Sequence, residues 1–187
     1  MNIVENINTI KHSIPSKVTL VVVSKMQSNS NILSAYNSGH RIFGENKVQE
    51  IQKKYNELPS DIQWHMIGHL QTNKVKYIAP FISLIHSVDS TKLLKEINKR
   101  AKENNRIINC LLQVHIAKEK TKYGFQMNDI EEIIKNSKDY TNVKISGLMG
   151  MATFTDKTKQ INKEFSQINT LFKKIYNSHI TILSIGM

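Results

Sequence analysis

The segment Val18-Thr-Leu-Val-Val-Val-Ser-Lys25 is a run of β-branched and aliphatic residues that ends in a lysine. Its length and its valine content are typical of a strand that is buried on both faces, as in a parallel sheet. A helical pattern over residues 2–12 precedes it, and another over residues 31–37 follows it. The segment therefore predicts the first strand of an alternating α/β fold.

The same alternation continues to the last residues of the chain. The predicted strands cover residues 18–24, 41–43, 64–67, 83–87, 107–116, 144–149 and 180–185. The predicted helices cover residues 2–12, 31–37, 47–55, 73–79, 91–104, 128–136 and 158–176. Seven strands that alternate with helices indicate parallel pairing through right-handed crossovers. Because no linker rich in proline or glycine interrupts the pattern, we expect a single domain over residues 1–187.

Polar residues or glycines follow nearly every predicted strand. They are Ser24-Lys25, Gly44-Glu45-Asn46, Gly68-His69, Ser87 with Asp89, His115, Gly150 and Gly186. Such strand ends meet at one face of a (β/α)8 barrel of the TIM type, where sites are built. An open doubly wound sheet, the alternative, concentrates them at one switch point and normally has a glycine-rich first turn. The chain has no such turn, so the barrel is favoured.

The composition excludes several classes of protein. With 40% hydrophobic and 22% charged residues, the 187-residue chain is neither disordered nor membrane-spanning. The formal charge is +11, but the lysines are spread along the chain and no nucleic-acid-reading motif accompanies them. We therefore expect neither nucleic acid nor a membrane as a partner. The single cysteine, Cys110, and the lack of a signal-peptide pattern predict a cytoplasmic location.

Lys25 is the first candidate for chemistry, because it closes the first predicted strand at the mouth of an apolar barrel. Partial desolvation there would favour the neutral amine, which can attack an aldehyde and form a Schiff base. A lysine that simply enters solvent where the strand ends is the alternative interpretation, and it holds for most lysines.

Two further motifs follow predicted strands. Asn46, in Phe43-Gly-Glu-Asn46, could face the barrel mouth, or it could cap the next helix together with Glu45. His65 and His69 have the spacing of zinc ligands on a helix, but they straddle a strand end that Gly68 interrupts. We therefore predict a buried core histidine and a helix cap rather than a metal site. Met149 and Met151 could line a pocket or pack in the core.

Taken in order, these segments closely resemble the pyridoxal phosphate homeostasis protein family. The matching segments are Val22-Val-Ser-Lys25, Phe43-Gly-Glu-Asn46, the stretch from Trp64-His-Met-Ile-Gly-His to Lys74, Lys122-Tyr-Gly-Phe125, Gly147-Leu-Met149 and Leu183-Ser-Ile-Gly-Met187. The resemblance implies a single barrel like the N-terminal domain of alanine racemase. It also implies that pyridoxal 5′-phosphate (PLP) is held as a Schiff base on Lys25, with Asn46 and Met187 at the cofactor.

The function implied by this resemblance is intracellular PLP homeostasis without strong catalytic turnover, with PLP-dependent apoenzymes as partners. The sequence ends at Met187, where family members continue with a phosphate-binding turn and an eighth strand. We therefore expect seven strands, a missing eighth strand, two open sheet edges that invite association, and weakened cofactor binding.

Two alternatives remain at this point. One is a racemase-like PLP enzyme, which would need a base on each face of the cofactor. In alanine racemase an additional β domain supplies one of these bases, and we expect a chain of 187 residues to have no room for it. The other is a decayed relative that no longer binds the cofactor. In one version of this hypothesis, the protein binds RNA through its positive charge.

Overall fold

A computed structural model describes residues 2–119 and 123–186. Within these ranges, seven strands form one parallel sheet whose order follows the chain. The strands are β1 (Val22–Val23), β2 (Ile42–Glu45), β3 (Gln63–Met66), β4 (Leu84–Val88), β5 (Ile108–Val114), β6 (Val143–Met151) and β7 (Ile182–Gly186). Because each strand pairs with the next one in sequence, the sheet has no switch point. The doubly wound alternative is thereby excluded.

Helices fill every connection between successive strands. They are α2 (Asn29–Asn37), α3 (Val48–Glu57), α4 (Val75–Ile78), α5 (Thr91–Glu103), α6 (Ile130–Asn136) and α7 (Thr158–Ile175), with 3-10 turns at Thr72–Lys74 and Met127–Asp129. A further helix, α1 (Ile3–Ser13), precedes β1. Side chains of Asn2, Ser28 and Ser90 accept hydrogen bonds from the first turns of α1, α2 and α5. None of the helices described is long and apolar enough to cross a bilayer.

The sheet curls as a barrel wall does. His86 on β4 and Ser184 on β7 are joined by a hydrogen bond of 2.9 Å between Nδ1 and Oγ. In a flat sheet these strands would lie about 14 Å apart, since three strand spacings separate them. The curvature therefore confirms the predicted barrel architecture. The described residues form seven strands of the barrel wall.

Two apolar layers stabilise this wall. The larger lies between the sheet and the helices, and Phe43, Trp64 and Met66 are fully buried in it. The smaller lies on the concave side and consists of Leu84, Leu111 and Met149. Met149 thus packs in the core, which resolves one of the two interpretations left open by the sequence.

The first strand is shorter and more exposed than its sequence predicts. Residues 18–24 were expected to form a strand buried on both faces, but only Val22 and Val23 pair with β2. Val18 is 49% exposed and Val23 is 48% exposed. The physical reason is position: β1 lies at the edge of the described sheet, so it pairs with one neighbouring strand instead of two.

Gly147 provides a test of the contact between β6 and the edge strand β7. A Cβ atom at this position would lie 1.7 Å from the carbonyl oxygen of Ile182. We expect Gly147→Ala to lower the free energy of unfolding by about 2 kcal/mol or more, because backbone must move. Gly186→Ala is the matched control, since a Cβ there meets nothing within 4 Å. Equal urea midpoints for the two variants would contradict the expected steric conflict.

Candidate functional site

The two main candidate residues, Lys25 and Asn46, follow the carboxyl ends of the neighbouring strands β1 and β2. Val23 pairs with Gly44, and the Ser24 N–H donates to the Gly44 carbonyl at 3.0 Å. Lys25 and Asn46 follow this pair by two residues, in the segments that leave β1 and β2. The carboxyl ends of neighbouring parallel strands lie at the same end of a sheet, so both residues lie at that end.

Lys25 lies on an exposed turn, with its side chain accessible to solvent. The following residue, Met26, has a φ of 61°, in the left-handed region that few residues other than glycine adopt. The expected partial burial of Lys25 in an apolar funnel is therefore wrong for the described residues. The cause is again the edge position of β1, which leaves the concave side around Lys25 unenclosed.

Asn46 has a buried side-chain oxygen for which the described residues offer no hydrogen-bond partner. A buried acceptor without a donor costs roughly 1–3 kcal/mol, so such atoms are rare unless a ligand or water satisfies them. Gly68 packs directly on the backbone of Asn46. A Cβ atom at position 68 would lie 2.5 Å from the backbone carbonyl oxygen of Asn46. The capping alternative is wrong: Lys47 is the N-cap of α3, and no side chain caps it.

A buried ion pair lies directly beneath these two residues. The Lys54 ammonium on α3 donates to Glu45 Oε1 at 2.6 Å and to the Ser24 carbonyl at 2.8 Å. The Ser24 hydroxyl also donates to Glu45 Oε1, at 2.7 Å. The Lys54 side chain is 8% exposed and the Glu45 side chain is fully buried. The pair joins helix α3 to the ends of both β1 and β2.

Glu50, one turn before Lys54 on α3, extends this network. Its Oε2 accepts the Met26 N–H at 3.2 Å and lies 3.5 Å from the Lys54 ammonium. The Met26 N–H and the nearby ammonium hold the pKa of Glu50 below its usual value. The sequence patterns did not predict this network. The available signal was a lysine at the i+3 position from Ile51, on the buried side of α3.

A chain of hydrogen bonds crosses the concave interior. Ser184 Oγ lies 2.9 Å from His86 Nδ1, and His86 Nε2 lies 2.9 Å from His65 Nδ1. Burial lowers the pKa of His65 to about 4 and that of His86 to about 3, so both rings are neutral at pH 7. The prediction of a buried core histidine is confirmed at His65.

His69 lines a cleft together with Asp89 and Tyr123. Its Nδ1 lies 2.9 Å from Asp89 Oδ2, and its ring stacks on Tyr123 with centroids 3.7 Å apart. The cleft has a volume of about 550 Å³, and His115 and Gly124 also line it. His69 thus pairs with a carboxylate and does not cap a helix as expected. Within the described residues no group of three possible metal ligands occurs.

Met187, the third predicted cofactor-binding residue, lies outside the described residues, as does Lys122 of the matched Lys122-Tyr-Gly-Phe125 segment. The described site therefore consists of Lys25 and Asn46 above the ion pair formed by Glu45 and Lys54.

Comparison with known proteins identifies the family. The family model for the N-terminal domain of alanine racemase matches residues 1–187. A pyridoxal phosphate homeostasis protein from Aquifex aeolicus is 37% identical over 172 residues, which cover 90% of this chain and 75% of that protein. The chain belongs to the pyridoxal phosphate homeostasis protein family. A pyridoxal phosphate homeostasis protein from Helicobacter pylori is 39% identical over 173 residues, covering 91% of this chain and 77% of that protein.

Solved structures agree with this assignment. PipY of Synechococcus elongatus, without PLP, superimposes with a TM-score of 0.93 at 32% identity, covering 99% of this chain and 89% of that one. PipY with PLP bound gives a TM-score of 0.86, covering 97% and 87%. Alanine racemase of Bartonella henselae matches with a TM-score of 0.76 at 13% identity, covering 99% and 52%, which supports the fold alone.

Proposed function

We propose that this protein binds PLP as a Schiff base on Lys25 and takes part in intracellular PLP homeostasis. The observation behind the proposal is the buried, unpartnered Oδ1 of Asn46, which follows β2 at the same end of the sheet where Lys25 follows β1. The family relationship supports it, because relatives are named for PLP homeostasis and the related PipY has been solved with PLP bound.

The residues present fit this cofactor. When bound, PLP supplies an aldehyde that condenses with a lysine amine, with loss of one water molecule. Lys25 is exposed, so its amine is accessible to such a ligand. Asn46 offers an acceptor that a protonated Schiff base or a ring substituent of the ligand could satisfy. Lys25 thus provides the covalent link and Asn46 orients the ligand.

We further propose that the protein does not turn over a substrate rapidly and that it acts in the cytoplasm, with PLP-dependent apoenzymes as recipients. The racemase-like alternative needs a base on each face of the cofactor. The interior histidines do not offer one readily, since His65 and His86 are buried and hydrogen-bonded to each other, and burial lowers the pKa of both rings. Incubation with alanine in heavy water tests this point, and rapid exchange of its α-proton would favour the racemase-like enzyme.

The binding proposal is tested by titrating the purified protein with PLP and recording the absorbance of the Schiff base. Borohydride reduction then fixes the linkage for peptide mass mapping. We expect saturable binding and a label on Lys25. A protein that remains unlabelled would be the decayed relative considered above.

Asn46→Leu separates binding from stability. Because Oδ1 of Asn46 lacks a partner, its replacement by an apolar side chain of similar size should leave the free energy of unfolding unchanged or raise it. The affinity for PLP should fall by about three- to tenfold, which corresponds to the net free energy of one hydrogen bond. Asn56→Leu, at an exposed position on α3, is the control. Unchanged PLP affinity in Asn46→Leu would exclude this contact.

A further inference from the structure

The backbone is held on both sides of Lys25 by side chains of one helix. The Ser24 carbonyl accepts a hydrogen bond of 2.8 Å from the Lys54 ammonium, and the Met26 N–H donates to Glu50 Oε2 at 3.2 Å. Lys54 and Glu50 are one turn apart on α3. The left-handed conformation of Met26, with φ of 61°, is uncommon for a residue with a side chain and needs surrounding contacts to maintain it.

The same helix also holds the second candidate residue. Glu45 directly precedes Asn46, and its Oε1 accepts from both Lys54 and the Ser24 hydroxyl. One ammonium group therefore restrains the chain next to Lys25 and the chain next to Asn46. Since both strands end at this point, the distance between the two residues depends on this ion pair.

Stability alone does not account for such a network. A buried ion pair is often no more stabilising than well-packed apolar residues of the same volume, because both charges lose their hydration. Here Glu45 is fully buried, and the described residues offer no partner for its Oε2. The network thus carries a desolvation cost while making direct contacts to Ser24 and Met26.

We propose that Glu45, Glu50 and Lys54 are positioning residues that hold Lys25 and Asn46 in place for a carbonyl ligand. The inference rests on the proposed function, because it assigns these residues to the site where Lys25 would bind PLP. None of the three touches the ligand in this proposal. They act by fixing the backbone, so that less ordering is required when the ligand binds.

The experiment compares Glu50→Ala, Glu50→Gln and Lys54→Met with Lys53→Met in the full chain. Lys53 is the exposed neighbour of Lys54 on α3, so the control makes the same chemical change outside the network. Glu50→Gln keeps an acceptor for the Met26 N–H, whereas Glu50→Ala removes it. Glu50 is partly exposed, at 28%, so its variants remain informative if Lys54→Met fails to fold.

Two readouts separate positioning from folding. Amide hydrogen exchange at Met26, measured without ligand, should accelerate by about tenfold or more in Glu50→Ala and stay near wild type in Glu50→Gln and Lys53→Met. With PLP added, Glu50→Ala and Lys54→Met should bind about tenfold more weakly and should direct a smaller share of the borohydride label to Lys25. Circular dichroism confirms that each variant is folded under these conditions.

The outcomes distinguish this inference from the function on which it rests. Wild-type exchange at Met26, or wild-type affinity and labelling, in a folded Glu50→Ala variant would overturn the positioning role while leaving PLP binding intact. Absence of any Lys25 label in the wild-type protein would refute the proposed function, and with it the purpose assigned to the network. In that case altered exchange in Glu50→Ala would reflect local structure alone.

Discussion

Lys25→Ala should lose the Schiff-base absorbance and the borohydride label together. The methyl side chain of alanine carries no nucleophile. The expected loss of labelling at this site is complete. Stability should change little, within about 0.5 kcal/mol, because Lys25 is exposed and surface substitutions are usually neutral. Spectroscopic titration and reduction followed by peptide mapping are the measurements.

Lys92→Ala is the matched control for this experiment. Lys92 is an exposed lysine in the first turn of α5, on the helical side of the sheet. The Lys92→Ala variant should bind PLP with the wild-type affinity and carry the wild-type amount of borohydride label. A Lys25→Ala variant with unchanged absorbance and an unchanged amount of label would place the linkage on another amine and refute the proposed site.

Acidification should destabilise the protein through its two interior histidines. In the folded state the pKa of His65 is about 4 and that of His86 is about 3, whereas an unfolded histidine titrates near 6.5. The unfolded chain therefore binds more protons between these values, and stability is lost as the pH falls below about 6.5. By pH 5 the loss should reach about 2 kcal/mol for each histidine.

The contribution of one ring is isolated by difference. His86→Gln should lower stability at pH 7, since it disrupts the bonds to Ser184 and His65, but it should flatten the decrease between pH 6.5 and 5. Urea unfolding at several pH values measures this slope. His12→Gln, at an exposed histidine of α1, is the control variant. An unchanged slope in His86→Gln would show that His86 takes up its proton over the same pH range in the folded and the unfolded protein, which contradicts the lowered pKa.

The order of elements was predictable because it depends on local patterns. The alternation of apolar runs with amphipathic segments located the seven strands that the described residues form. The polar strand ends placed Lys25 and Asn46 at the same end of the sheet. The error at β1 has a simple origin. A run of valines indicates preference for a strand, but its pairing and burial depend on how many neighbouring strands cover it.

By itself the sequence thus determined the α/β alternation and the barrel class, and it pointed to Lys25 and Asn46 as candidates for binding a carbonyl ligand. Only the tertiary structure decided their surroundings: the exposure of Lys25, the unpartnered oxygen of Asn46 and the ion pair of Glu45 with Lys54. It also joined His86 to Ser184, which are 98 residues apart in the chain. Such contacts follow from the curvature and register of the whole sheet, and no local pattern of residue types contains that information.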